Sequence, residues 1–365
     1  VAVGANAVLV AGRDDDAKGA DSGSAYVFVP NGGSWSQQAK LVAGDGAAFD
    51  LFGGAVALAG DTAIVGAEGD DDKGDKSGSA YAFVRNGSAW SFQDKLIALD
   101  GQKDDGFGTS VAISGERAVL GAPGDDDLAE SAGAAYSFTR SGGAWSQENK
   151  LLSPDPGSYD LFGWSVALSG VTALIGAPGE DEGNGPVRAV GPPAEPTSFR
   201  GSAYVFLRTG SNWSFEGNLQ PKEITTYDEF GYSVSIAGGR AAVGVWLDDP
   251  NGEDSGSAYA FGPGALDLSV TGNCPGTVTV NVANATPGSE VGIAGAANNG
   301  GFTMGGQTCT GTVLEIGEPF QLPPLWIKVN ALGDGSGQLT LEAGRCWVEA
   351  LAVVGCATSG AVWVP

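Results

Sequence analysis

FGGAVALAGDTAIVGAEGDDDKGDKSGSAYAFVRNGSAWSFQDKL, Phe52 to Leu96, is the stretch from which the rest of the chain can be read. It returns from Phe107, Phe162 and Phe230, and in trimmed form from Val1. Tyr26, Tyr81, Tyr136, Tyr204 and Tyr259 mark one position, at spacings of 55, 55, 68 and 55 residues, and Trp35, Trp90, Trp145 and Trp213 mark another. Inside the stretch, Ala55–Ala59, Ala63–Gly66, Ser79–Val84 and Trp90–Ile97 read as strands. Apolar, aromatic and β-branched residues run there between Gly- and Asp-rich turn signals, and no helical period is sustained. Four short strands repeated at a fixed interval predict an all-β chain built of propeller blades, each covering the faces of its neighbours.

Phe107-Gly108 is followed by Gly121-Ala122-Pro123, and Phe162-Gly163 by Gly176-Ala177-Pro178. This pattern resembles the FG-GAP repeat of integrin α-subunit propellers and of many bacterial secreted proteins. The second copy has Glu68 in place of the proline, the fifth reads Gly244-Val245-Trp246, and the first has Ala11-Gly12-Arg13 with no Phe-Gly. Five repeats are visible, and the likeness covers roughly residues 1–262. The resemblance implies a propeller that binds its partners through loops, although one fold hosts many activities. The fourth copy carries an insertion within Gly183–Phe199 whose prolines and glycines predict a surface loop.

The period ends after Phe261, where no further Trp and Lys-Leu strand follows. Two domains are expected, 1–263 and 264–365. In the second, Leu266–Val270, Thr277–Val282, Glu290–Ala294, Trp326–Leu332, Gln338–Leu341 and Cys346–Val354 read as strands and predict a β-sandwich. This tail looks like the Ig-like C-terminal domains of secreted bacterial repeat proteins. Cys274, Cys309, Cys346 and Cys356 are the chain's four cysteines and all lie in this part. An even number in one small region suggests two disulfides and an oxidising compartment. Three pairings are open, of which we favour Cys274–Cys309 with Cys346–Cys356.

The net charge is −25, which argues against nucleic acid or an anionic membrane as partner. No apolar run reaches the length of a bilayer span. The chain opens inside a repeat without Met, so a processed or truncated start is expected, and secretion or display on a cell surface fits. Having no His, it has no Ser-His-Asp or Cys-His catalysis. Paired carboxylates abound, but they recur in register, whereas a catalytic pair is usually unique in a chain. A non-enzyme is therefore expected.

Up-and-down blades place the entry loop and the loop between strands two and three on one face. That face gathers Asp50, Asp105, Asp160 and Asp228 from the entry loops, with Asp70, Asp71 and Asp72, then Asp125, Asp126 and Asp127, from the others. Carboxylates on glycine-rich loops suit calcium, which takes six to eight oxygens, with Asp50 expected to meet Asp70–Asp72 and Asp105 to meet Asp125–Asp127. The alternative is that these aspartates cap turns. The integrin calcium loop lies between strands one and two, where this chain has only Ala59-Gly60-Asp61, so that site does not carry over. The opposite face collects Arg85, Arg117, Arg140, Arg208 and Arg240. Oppositely charged faces, and a fifth blade lacking its outer strand, suggest self-association or a filament. Trp35, Trp90, Trp145 and Trp213 either pack between blades or stack sugars. The function expected is extracellular adhesion or surface structure, through a protein or glycan ligand on a cell or matrix; the alternative is a secreted lectin.

Overall fold

The computed structural model describes residues 1–181, 199–221, 224–250 and 254–262, and the backbone of the strands named below beyond residue 266. The chain divides into two compact units, Val1–Ala260 and Phe261–Pro365.

The first unit is a five-bladed β-propeller. Its blades are β1–β4 (Ala2–Val3, Val8–Gly12, Ser24–Asn31, Ser34–Leu41), β5–β8 (Val56–Ala59, Thr62–Ala67, Ser79–Asn86, Ala89–Leu96), β9–β12 (Ser110–Ser114, Arg117–Ala122, Ala134–Ser141, Ala144–Leu151), β13–β16 (Ser165–Ser169, Thr172–Ala177, Ser202–Thr209, Asn212–Leu219) and β17–β19 (Phe230–Ala237, Arg240–Val245, Ser257–Phe261). Each is an antiparallel sheet in chain order, and the fifth has three strands, as the missing Trp and Lys-Leu segment predicts. No helix occurs among the described residues. Gly60-Asp61 joins β5 to β6, with Gly60 at φ 58° and Ala59 paired to Thr62. Two-residue hairpin turns need that left-handed backbone, which glycine adopts freely.

Alternation along the third strand supplies both sides of each blade. Ala80 and Ala82 of β7 pack forward on the third blade with Phe107, Leu120, Tyr136 and Phe138. Tyr81 and Phe83 pack backward on Leu9, Ala25 and Val27 of the first. The interface between blades three and four repeats this, with Ala135 against Phe162, Tyr204 and Phe206. An alanine face thus receives an aromatic face, and the Phe of each Phe-Gly is 0% exposed.

A β-bulge recurs in the fourth strand, opposite Val27/Phe28, Ala82/Phe83, Ser137/Phe138 and Val205/Phe206. Bulges re-aim side chains. Here the extra residues Gln38, Gln93 and Glu148 reach the next blade, accepting from Trp90 Nε1 at 2.9 Å, Trp145 Nε1 at 3.0 Å and Arg208 Nη2 at 2.7 Å.

The second unit has β20 (Asp267–Gly272), β21 (Gly276–Ala283), β22 (Glu290–Ala296), β23 (Leu325–Lys328), β24 (Gly335–Leu341), β25 (Trp347–Ala352) and β26 (Val362–Trp363). They form two antiparallel sheets, β20-β21-β24 and β23-β22-β25-β26. Each of the six expected strands overlaps an observed one; Val362–Trp363 was not foreseen. Cys274, Cys309, Cys346 and Cys356, and almost all of the insertion, lie outside the described residues.

Candidate functional site

The acidic face is assembled from three segments per blade. The entry loop comes first. Asp50 and Asp105 each accept the backbone N–H three residues earlier, from Ala47 and Gln102, at 2.7 Å; Asp160 and Asp228 accept from Gly157 and Thr225 in the same way. Their neighbours take left-handed backbone: Phe49 and Leu51 at φ 70° and 60°, Tyr159 and Leu161 at 66° and 59°. Such conformations persist in non-glycine residues only when the surroundings hold them, and the buried, capping carboxylate between them does so. Sequence reasoning named these aspartates as calcium ligands or turn caps, and their contacts are those of caps.

Capping has an electrostatic cost. Burial pushes the Asp105 carboxyl up to about 6; the Gln102 N–H opposes the shift, and Asp125 and Asp126 add to it. Its Oδ1 is buried without a hydrogen-bond partner. Burial also raises Asp50. The unfolded carboxyl titrates near ~3.9, so the folded chain holds this proton more tightly. Asp105 therefore adds stability as pH falls from about 6 towards 4, and removes it as pH rises. Asp45 and Asp100, whose pKa values are lowered, work in the opposite sense at lower pH. Asp105→Asn should flatten the curve between about pH 4 and 6. Denaturant unfolding across that range is the check, and an unchanged slope contradicts the assignment.

The second and third segments meet through a lysine. In register, Lys40, Lys95 and Lys150 on the fourth strands stand opposite Tyr26, Tyr81 and Tyr136 on the third. The Lys95 ammonium lies 2.8 Å from Asp45, 2.9 Å from Asp70 and 2.7 Å from Asp72. The Tyr81 hydroxyl lies 2.8 Å from both Asp70 Oδ2 and Asp45 Oδ1. In the third blade Lys150 takes Asp100 at 3.0 Å and Asp125 at 2.7 Å, together with Asp127. Lys40 has a single carboxylate, Asp15, at 2.9 Å. Asp45 and Asp100 belong to the exit loop of the preceding blade, so each set also fastens two blades together. Of the remaining acids, Asp71 accepts the Lys76 N–H at 2.8 Å, and Asp126 is exposed.

Of the carboxylates named as calcium ligands, Asp70 and Asp72 thus surround the Lys95 ammonium, and Asp125 and Asp127 the Lys150 ammonium. Asp70 and Asp125 also lie near enough to Asp50 and Asp105 to push those carboxyls up, so the entry-loop acids and the lysine sets share one electrostatic neighbourhood. The fourth blade differs. Asn218 stands opposite Tyr204, whose hydroxyl lies 2.7 Å from Glu180 and 3.0 Å from Asp155. Among the described residues, Asp160, Glu180 and Asp181 are the three carboxylates whose oxygens lie within 4.8 Å of one another. Carboxylate oxygens are the kind of donor a hard cation takes. The signal was present in the sequence: Lys-Leu at 40–41, 95–96 and 150–151 becomes Asn-Leu at 218–219.

The repeated tryptophans divide. Trp145 is 8% exposed, Trp90 and Trp213 are partly buried, and Trp35 is 57% exposed. Arg85 and Arg140 lie over Trp90 and Trp145. Those arginines are also paired within their own blades, Arg85 with Asp61 at 2.6 Å and Arg140 with Glu116 at 2.8 Å, while Arg208 pairs with Glu148. Three of the five arginines named for this face are thus paired with carboxylates.

A family model described as FG-GAP repeat matches residues 35–83, 90–138, 145–206 and 213–261, more than half of the chain. No curated protein matches it. Among the described residues, no helix is long and apolar enough to cross a membrane.

Proposed function

The chain belongs to the FG-GAP repeat family, and from that premise we propose a non-enzymatic adhesion or structural protein, extracellular or on a cell surface. It binds a protein or glycan on a cell or matrix through its propeller loops. The observation that carries this reading is the way the acidic loops are tied down. Asp70 and Asp125 are 4% and 3% exposed and committed to a Tyr and a Lys of their own blade. A face so fixed presents its outer acids, Asp71 and Asp126 among them, in a preorganised relief, which favours binding. Catalytic carboxylates work as a pair tuned apart in a concave site, whereas these sets recur blade after blade. Residues 264–365 are proposed as an Ig-like β-sandwich of the bacterial secreted type, with its four cysteines in two disulfides.

Calcium, on this reading, belongs to the fourth blade, held by Asp160, Glu180 and Asp181, whose oxygens lie within 4.8 Å of one another. The lectin reading is favoured by one observation, the exposed ring of Trp35. One experiment separates these. The whole chain is applied to immobilised glycans and matrix proteins, in calcium and in chelator. Saturable binding to a matrix protein that survives Trp35→Ala supports adhesion. Glycan binding weakened about tenfold or more by Trp35→Ala, roughly 1.4 kcal/mol, supports the lectin. Calcium dependence lost in Glu180→Gln places the ion in the fourth blade. Binding to neither class overturns both readings.

A further inference from the structure

In each of the first four blades the third strand turns into the fourth through two residues. The flanking pairs are Asn31 with Ser34, Asn86 with Ala89, Ser141 with Ala144 and Thr209 with Asn212. A glycine opens every turn, and Gly32, Gly87, Gly142 and Gly210 take φ of 57°, 63°, 61° and 66°. Two-residue hairpins demand that left-handed backbone. The residue ahead of the glycine varies: asparagine in the first two blades, serine in the third, threonine in the fourth.

Asparagine followed by glycine is a reactive pair. The backbone nitrogen of the second residue can attack the side-chain carbonyl carbon, Cγ, of the first. The N–Cγ bond forms, the Cγ–Nδ2 bond breaks, and ammonia leaves with the amide proton, closing a cyclic imide. Water then opens the ring. Addition at Cγ restores the main chain and leaves an aspartate. Addition at the main-chain carbonyl carbon leaves an isoaspartate, with the chain running through Cγ. Water is the only co-reactant, and nothing is oxidised or reduced.

The hairpin tips of the first two blades meet the demands of this reaction. Asn31, Gly32, Asn86 and Gly87 are all exposed. A side chain on the second residue would crowd the attack, and glycine has none. A Cβ placed on Gly32 or Gly87 would meet nothing within 4 Å, so ring closure and water both have room. Among the described residues, neither glycine N–H has a hydrogen-bond acceptor. Closing the ring also requires the asparagine to rotate out of its strand conformation. Each stands at the last pair of its ladder, where pairing opens most readily. Asn149 and Asn212 differ. Asn149 lies inside its strand with Oδ1 buried and is followed by Lys150, while the bulky Trp213 follows Asn212.

We propose that this turn makes Asn31 and Asn86 modification sites, which deamidate spontaneously to aspartyl and isoaspartyl residues as the folded protein ages. Asn31 leads, because Gly32 and Gly33 follow it and a Gly-Gly turn is freer than Gly87-Ser88. Each conversion adds a negative charge at the hairpin end of its blade, and an isoaspartate also lengthens the main chain at the closing pair.

The test holds the full chain in mildly alkaline buffer, digests it at intervals and maps the peptides by mass spectrometry, with the two isomeric products separated by chromatography. Asn184, Asn251 and Asn299 also precede glycine and are read in their own peptides. Conversion at Asn31 and Asn86 is expected to run about tenfold or more ahead of Asn149 and Asn212, a barrier difference of about 1.4 kcal/mol or more. It should slow in mildly acidic buffer, where the attacking nitrogen loses its proton less readily. Ser141→Asn transplants the site. Gly142 and Gly143, at φ 61° and 90°, reproduce Gly32 and Gly33 at 57° and 88°, so the new pair should convert at a rate comparable with Asn31. Circular dichroism confirms that the variant remains folded. Conversion at Asn31 and Asn86 no faster than at Asn149 and Asn212 overturns the proposal. So does a Ser141→Asn hairpin that stays intact while Asn31 converts.

Discussion

Lys95→Met should destabilise the propeller by about 3–5 kcal/mol, the effect of breaking a buried ion pair from one side. The lysine side chain is 16% exposed, and Asp70, one of its three partners, only 5%. Methionine fills much of the same space, so packing is largely retained and the loss is electrostatic: three carboxylates remain together with no ammonium among them. Burial alone would lower the Lys95 pKa, but the hydrogen bonds its ammonium makes to Asp45, Asp72, Tyr81 and Asp70 outweigh it and leave the pKa raised. A raised lysine pKa stabilises the fold fully below the unfolded value near ~10.4 and loses that contribution as pH climbs through the folded value. The wild type should thus lose stability in strong alkali where Lys95→Met does not. Adding Asp70→Asn to Lys95→Met should restore part of the loss, because the two side chains act on one another directly. Denaturant unfolding of the three proteins is the measurement; a loss under ~1 kcal/mol for Lys95→Met would place the lysine among exposed pairs of small effect.

Tyr81→Ala should cost about 3–5 kcal/mol, as large aromatic truncations in cores do. The ring is 1% exposed, edge-on to Phe52 at 5.4 Å and beneath the Lys95 ammonium at 5.1 Å. Removing it opens a cavity at the seam between two blades and withdraws a hydroxyl from Asp70 and Asp45. Tyr81→Phe separates the two effects: it keeps the ring and should cost about 1–3 kcal/mol, the penalty for a buried acceptor losing its donor. Equal losses in the two variants would mean that the ring contributes nothing to the seam.

Much of this was legible in the sequence. The 55-residue recurrence of Tyr and Trp fixes the blades, and alternation in Ser-Ala-Tyr-Ala-Phe gives each third strand an alanine side and an aromatic side. The truncated fifth blade was visible as a missing Trp and Lys-Leu segment. The bulge was not legible, because nothing in Ser-Phe-Gln-Asp-Lys says which residue will be left unpaired. The bulge is what turns Gln93 towards Trp145. The role of the acidic residues was half legible. Their clustering on one face follows from topology, but clustering does not say which cation sits among them. That depends on the register that sets Lys95 opposite Tyr81 and on Asp45 arriving from the neighbouring blade. Charge counted by face likewise did not show that Arg85 and Arg140 pair with Asp61 and Glu116 on the same face.

The direct test of the lysine-locked acidic face is nitrogen-detected NMR of the lysine ammonium groups. Lys95 and Lys150 should give separate, slowly exchanging NH₃⁺ signals that persist above the ordinary lysine pKa of ~10.4, with the signals of the exposed lysines recorded alongside. Collapse of the Lys95 and Lys150 signals together with those of the exposed lysines would contradict it.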